Sequence, residues 1–106
     1  TNVFDKTYPK GQSVEIIRSD IFKTYFTKIK KKEHLEHITK FFYDNNKLFK
    51  IFNFKNKKNY NSINLSVDTA EDYMKLKKVY KYAHNKSLNW FHLVKIYLQL
   101  DLNVQK

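Results

Sequence analysis

Ile63-Asn64-Leu65-Ser66-Val67-Asp68-Thr69-Ala70-Glu71-Asp72-Tyr73 is the stretch on which the fold turns. Ile63, Leu65 and Val67 alternate with Asn64 and Ser66, the period of a strand with one buried face. The alternation stops at Asp68. Thr69 is placed to cap a helix, with Glu71 and Asp72 in its first turn, where carboxylates suit the positive end of the helix dipole. The pattern predicts a strand, then a carboxylate, then a helix start. In α/β proteins ligands gather outside the carboxyl ends of strands, which makes Asp68 a candidate site residue. A carboxylate that only serves the turn or the cap would stand at the same place. The local pattern leaves both readings open.

On the C-terminal side, Tyr73, Leu76, Tyr80 and Ala83 mark the expected buried stripe of a helix, with Lys75, Lys77, Lys78 and Lys81 outside. Asn85 to Asn89 should break it, with His84 at its end. A last helix should turn Trp90, Leu93, Val94, Tyr97 and Leu98 inward. Asn103 to Lys106 reads as a frayed tail. On the N-terminal side, Lys55 to Asn61 is a polar connection. Phe49 to Phe54 predicts an aromatic strand. Before it, Leu35, Ile38 and Phe42 share a helical face, and Asp44-Asn45-Asn46 stops that helix. Ser19 or Asp20 caps an earlier helix, with Ile21, Phe22, Tyr25, Phe26 and Ile29 on its apolar side. Ser13 to Ile17 is a short strand candidate, with Val14 and Ile16 on one face. Thr1 to Gln12 holds the only Pro and the only Gly, at positions 9 and 11, and reads as loop and turn.

The 106 residues suffice for a single domain, 1–106. Aromatic side chains make up 17%, enough to build a core and to argue against general disorder. There is no Cys, which excludes disulfides and thiolate metal sites. No apolar run has the length of a membrane span and no signal-peptide pattern opens the chain, so no membrane partner and a cytoplasmic location are expected. The chain opens on Thr1-Asn2-Val3 without Met and reads as an excised piece of a longer protein or as a trimmed chain.

The formal charge of +11 suggests a polyanion partner. Arg18 is the only Arg, however, and Arg supplies the fork that reads bases and grips phosphates. The expectation is weak, lysine-driven binding to nucleic acid with no specific sequence. His34 and His37 are spaced as helical neighbours, but a third metal ligand of obvious spacing is missing. His92 reads as a surface or partly packed residue. One Gly cannot build a phosphate cradle. The carboxylates in strand-associated positions are Asp68 and Glu15.

Three blocks resemble the C-terminal half of the cytidylyltransferases typified by spore coat polysaccharide biosynthesis proteins. These are akin to the acylneuraminate and 3-deoxy-manno-octulosonate cytidylyltransferases. Tyr8-Pro9-Lys10-Gly11-Gln12-Ser13-Val14-Glu15-Ile16 is similar to an aromatic-Pro-basic-Gly-x-Asp-x-Glu block. Leu35-Glu36-His37-Ile38-Thr39 is similar to Arg-Glu-His-Val-Thr, and is followed by Tyr43, Asn45, Asn46, Phe49 and Ile51 in the family's order. Ser66-Val67-Asp68-Thr69-Ala70-Glu71-Asp72-Tyr73 is similar to Thr-Val-Asp-x-Pro-Glu-Asp-Leu, the most specific of the three. Ser13, Leu35 and Ala70 depart from the family's Asp, Arg and Pro. The first two bear on the sugar site and the third on the helix start.

The resemblance implies the C-terminal part of a Rossmann-like α/β sandwich of the nucleotide-diphospho-sugar transferase type, or an α+β domain if these residues fold in isolation. It implies activation of a sugar with CTP, release of pyrophosphate, and a role in surface polysaccharide or glycan biosynthesis. It implies Mg²⁺ as cofactor, Asp68 as a metal carboxylate, Glu15 and His37 at the sugar pocket, and a possible homodimer. Nothing here resembles the family's N-terminal CTP-binding half, so these residues alone are expected to be inactive. The rival readings are a basic polyanion-binding module and an assembly domain that pairs through the Phe49 to Phe54 strand edge.

Overall fold

The computed structural model describes residues 1–83 and 89–100. The expected helix end at His84, most of the Asn85 to Asn89 break and the Asn103 to Lys106 tail lie outside the described residues. The chain forms two compact units, Thr1–Asp5 with Val14–Phe54, and Lys6–Ser13 with Lys55–Lys106.

In the first unit, α1 spans Ser19–Phe26. Its N-cap is Arg18, so neither Ser19 nor Asp20 caps it. Asp20 stands in the first turn, held by the Arg18 guanidinium at 2.6 Å and accepting from the Ile21 N–H at 2.9 Å. Ile29, expected on this helix, is buried three residues beyond its end. The expected helix from Leu35 to Phe42 is instead two, α2 (Lys32–Glu36) and α3 (Ile38–Asp44), separated by His37 at φ −128°, ψ 79°. The break resets the rotational phase, so Leu35 faces solvent while His34 is only 4% exposed. The His34 ring packs edge-on against Phe41. Phe42 is buried, and Tyr25, Phe41 and Phe42 pack around Phe49, supplying the aromatic contacts that stand in for an aliphatic core. A 3₁₀ turn, Asn46–Leu48, follows α3.

In the second unit, α4 (Ala70–Ala83) packs on α5 (Trp90–Gln99). Ile63, Val79, Ala83, Val94, Ile96 and Tyr97 form the core, with Leu65, Trp90 and Leu93 against it. The inward stripe of α4 runs through half-buried Leu76 and buried Val79 and Ala83, an i, i+3, i+7 series. Tyr73 and Tyr80, expected inside, are exposed. The smaller Val79 and Ala83 allow close helix approach, and Tyr tolerates water at its hydroxyl end. In α5, Ile96 is buried and Leu98 is not, a correction of the same kind. Asn89 caps α5, its side-chain oxygen accepting from the His92 N–H at 2.9 Å.

The expected strands at Ser13 to Ile17, Phe49 to Phe54 and Ile63 to Val67 form no ladder among the described residues. One isolated parallel bridge joins Lys10 and Asn64. A strand needs consecutive partners along a neighbour, and these segments meet only short pieces of the N-terminal loop. Lys10 N–H donates to Ile63 O and Leu65 N–H donates to Lys10 O, both at 2.9 Å. The Thr1 amine donates to Phe52 O and Phe54 N–H donates to Thr1 O, again at 2.9 Å. Without a covering layer, Ile16 is 84% exposed, and Val14 and Val67 also face solvent.

Candidate functional site

Gly11 closes a turn in which Gln12 N–H donates to Pro9 O, and its φ of +90° is one that L side chains rarely adopt. A Cβ on Gly11 would lie 3.0 Å from Leu65 C and Ser66 N. The glycine therefore lets the first and last motif blocks touch backbone to backbone. This contact supports the residues leading to Asp68.

Asp68 is exposed, one residue before the α4 cap. Its Oδ2 accepts from the Ser66 hydroxyl at 2.9 Å. Thr69 and Asp72 form a reciprocal capping box: Asp72 N–H donates to Thr69 Oγ1 at 3.1 Å, and Thr69 N–H and hydroxyl donate to Asp72 Oδ2 at 3.0 and 2.8 Å. Asp72 Oδ1 accepts from Asn64 Nδ2 at 2.9 Å. The Thr69 hydroxyl, then the backbone N–H groups and Asn64, hold the Asp72 carboxyl below the usual range. The two carboxylates differ in their partners. Asp72 is spent on the cap, while Asp68 Oδ1 has no protein partner among the described residues. An exposed, hard oxygen donor of this kind suits Mg²⁺, which takes one or two carboxylates and completes its shell with phosphates and water.

Glu15 lies in the other unit, on a cavity of about 490 Å³ whose lining includes Arg18, Thr39, Phe42, Tyr43 and Phe49. The Tyr43 hydroxyl donates to Glu15 Oε2 at 2.6 Å, so the 2.7 Å contact between Tyr43 and Thr1 Oγ1 has Thr1 as donor. Burial, then the hydrogen bond to Glu15, pushes the Tyr43 phenol up to about 12. The lining combines a carboxylate and hydroxyls with aromatic rings, a set of groups able to bind a polyol through both its hydroxyls and its C–H face. His37 is exposed at the break between α2 and α3 and is not among the cavity's lining residues, whereas Thr39 of the same motif is.

His34 and His37 do not converge as a metal pair; one turns into the protein and the other out. His34 Nε2 lies 2.8 Å from Asp44 Oδ2, with Glu33 at 4.0 Å. Lys40 already places its ammonium 3.0 Å from Asp44 and 3.8 Å from Glu33. The His34 and Lys40 contacts hold the Asp44 carboxyl below its ordinary value. Periodicity gave no hint of this cluster, because it crosses the helix break. Tyr43 was legible as a family position but not as the partner of Glu15, 28 residues away.

No protein-family model matches the chain, and no curated protein matches it. Among solved structures, it is similar to a cytidylyltransferase from Leptospira borgpetersenii serovar Hardjo-bovis (strain JB197). The TM-score is 0.88 at 25% sequence identity, over 99% of this chain and 44% of that chain. The fold is thus cytidylyltransferase-like along almost all of these residues, and the chain spans less than half the length of that protein. No helix among the described residues is long and apolar enough to cross a membrane.

Proposed function

We propose that the chain is the C-terminal part of a sugar-activating cytidylyltransferase of the spore coat polysaccharide type, completed as a Rossmann-like α/β sandwich by residues beyond these. The observation that carries this reading is the likeness to a cytidylyltransferase over 99% of the chain. In the reaction, a sugar hydroxyl or sugar-phosphate oxygen attacks the α-phosphorus of CTP. The new P–O bond forms as the bond to the β-phosphate breaks. Pyrophosphate leaves with the electron pair, and the nucleophile's proton passes to solvent or a base.

Mg²⁺, when bound, would supply neutralisation of the phosphate charge, and Asp68 would be the carboxylate of this chain that holds it. Glu15 orients sugar hydroxyls by accepting from them, and Tyr43 keeps that carboxylate directed and stays protonated. His37 borders the sugar when the site is complete. The Phe42 and Phe49 rings give the sugar ring an apolar face to rest on.

The test is pyrophosphate release by the full-length protein with CTP, Mg²⁺ and a panel of nonulosonate and other acidic sugars. Asp68→Asn is expected to lower turnover by roughly two orders of magnitude or more while thermal melting stays close to that of the parent. Near-normal turnover with unchanged Mg²⁺ dependence would remove Asp68 from the site. A lost turn contact alone would lower melting and spare turnover.

A further inference from the structure

Between Asn64 and Asp72 the polar side chains close into a ring. Asn64 Oδ1 accepts from the Ser66 N–H at 2.9 Å and lies 2.7 Å from the Ser66 hydroxyl. The same hydroxyl is 2.9 Å from Asp68 Oδ2. The Asn64 amide donates to Asp72 Oδ1, and Asp68 N–H points back to Asp72 Oδ2 at 3.3 Å. Asn64 and Ser66 are half-buried and Asp68 is exposed. The supporting groups are thus shielded, and the supported carboxylate is open to solvent. A hydroxyl has one proton, so Ser66 donates either to Asn64 or to Asp68.

From this geometry we infer that Ser66 and Asn64 are positioning residues for Asp68. Ser66 anchors Oδ2, so that Oδ1 is presented to a divalent cation in a fixed direction, and Asn64 ties Ser66 to the capped start of α4. The inference rests on the reading of Asp68 as a metal carboxylate. It concerns how that carboxylate is aimed, which neither the motif nor the likeness addresses. Gly11 supports the same point from beneath, since its missing Cβ allows the backbone at Leu65 and Ser66 to sit where it does.

The experiment measures Mn²⁺ binding to the full-length protein in the presence of CTP, by electron paramagnetic resonance of the free ion, beside thermal melting. Ser66→Ala is expected to weaken Mn²⁺ about tenfold, the scale of losing a support to a metal ligand, with melting little changed. Ser66→Thr, which keeps the hydroxyl, should restore affinity. In turnover assays, the Ser66→Ala defect should appear in the Mg²⁺ concentration required and shrink at saturating Mg²⁺. Parental Mn²⁺ affinity in Ser66→Ala, with Asp68→Asn clearly weakened, would overturn the inference and leave the metal assignment standing. Parental affinity in Asp68→Asn would overturn both. A Ser66→Ala defect that Ser66→Thr does not restore would also count against the hydroxyl.

Discussion

The segment from Asn64 to Asp72 and the cavity around Glu15 are built in opposite ways. The first is local: its hydrogen bonds join residues no more than eight positions apart. The second is assembled from distant pieces: Glu15 meets Tyr43, and Tyr43 meets Thr1 across 42 positions. A local ring is specified by a few backbone angles and survives changes elsewhere in the fold. A long-range triad exists only when the surrounding chain has packed, and it reports on that packing.

Four measurements sharpen or break this contrast. The largest effect is expected from Asp68→Asn, a loss of roughly two orders of magnitude in turnover without loss of fold. A drop in melting to match would make the segment structural and erase the contrast. Next, Gly11→Ala should cost roughly 1–3 kcal/mol, because its φ of +90° strains any L side chain and its Cβ would press on Leu65 and Ser66. Denaturant unfolding reads this directly, and a cost near zero would mean the turn and the ring are not coupled.

Tyr43→Phe should cost roughly 1 kcal/mol, by leaving the Glu15 and Thr1 partners unmatched. Its pH dependence is more telling. The phenol is raised from 10.0 to about 12 in the folded chain, so the folded state keeps a proton that the unfolded state gives up first. The stability this provides is complete below the unfolded value and is lost as pH rises from 10.0 to about 12. Stability curves of the parent and Tyr43→Phe should therefore converge over that window. Parallel curves would show that Tyr43 is not held by Glu15 and burial.

The smallest effect is expected at Asp44. Its carboxyl is lowered by His34 and Lys40, so its contribution is present above 3.8 and is lost as pH falls through its depressed value. Asp44→Asn should flatten that acid-side decline in a pH series of melting curves. An unchanged decline would assign the acid sensitivity to other carboxylates.

Much of the local construction was legible. Thr69 ahead of Glu71 and Asp72 announces the cap and the acidic first turn of α4, because both depend on adjacent residues alone. Pro9 and Gly11 announce the turn, and the Ser66 to Tyr73 block places Asp68 ahead of a helix. The family resemblance, carried mainly by that block, agrees with the likeness to a solved cytidylyltransferase. Alternation, however, predicts a strand at Ile63 to Val67, where the structure has a single bridge and no ladder. Period two signals an extended backbone, but a ladder requires a neighbour that the segment does not itself contain.

The sequence by itself determined the turn at Gly11, the cap of α4, the existence of most helices and the position of Asp68 after an extended segment. All of these depend on interactions within a few residues, where backbone geometry dictates which groups meet. Tertiary structure alone decided that His37 breaks a helix and sends His34 inward, that Val79 rather than Tyr80 faces the core, and that Glu15 finds Tyr43. In each case several local solutions are nearly equal in energy. The choice among them is made by the packing of side chains far apart in the chain, where burying one apolar group in place of another outweighs the local preference.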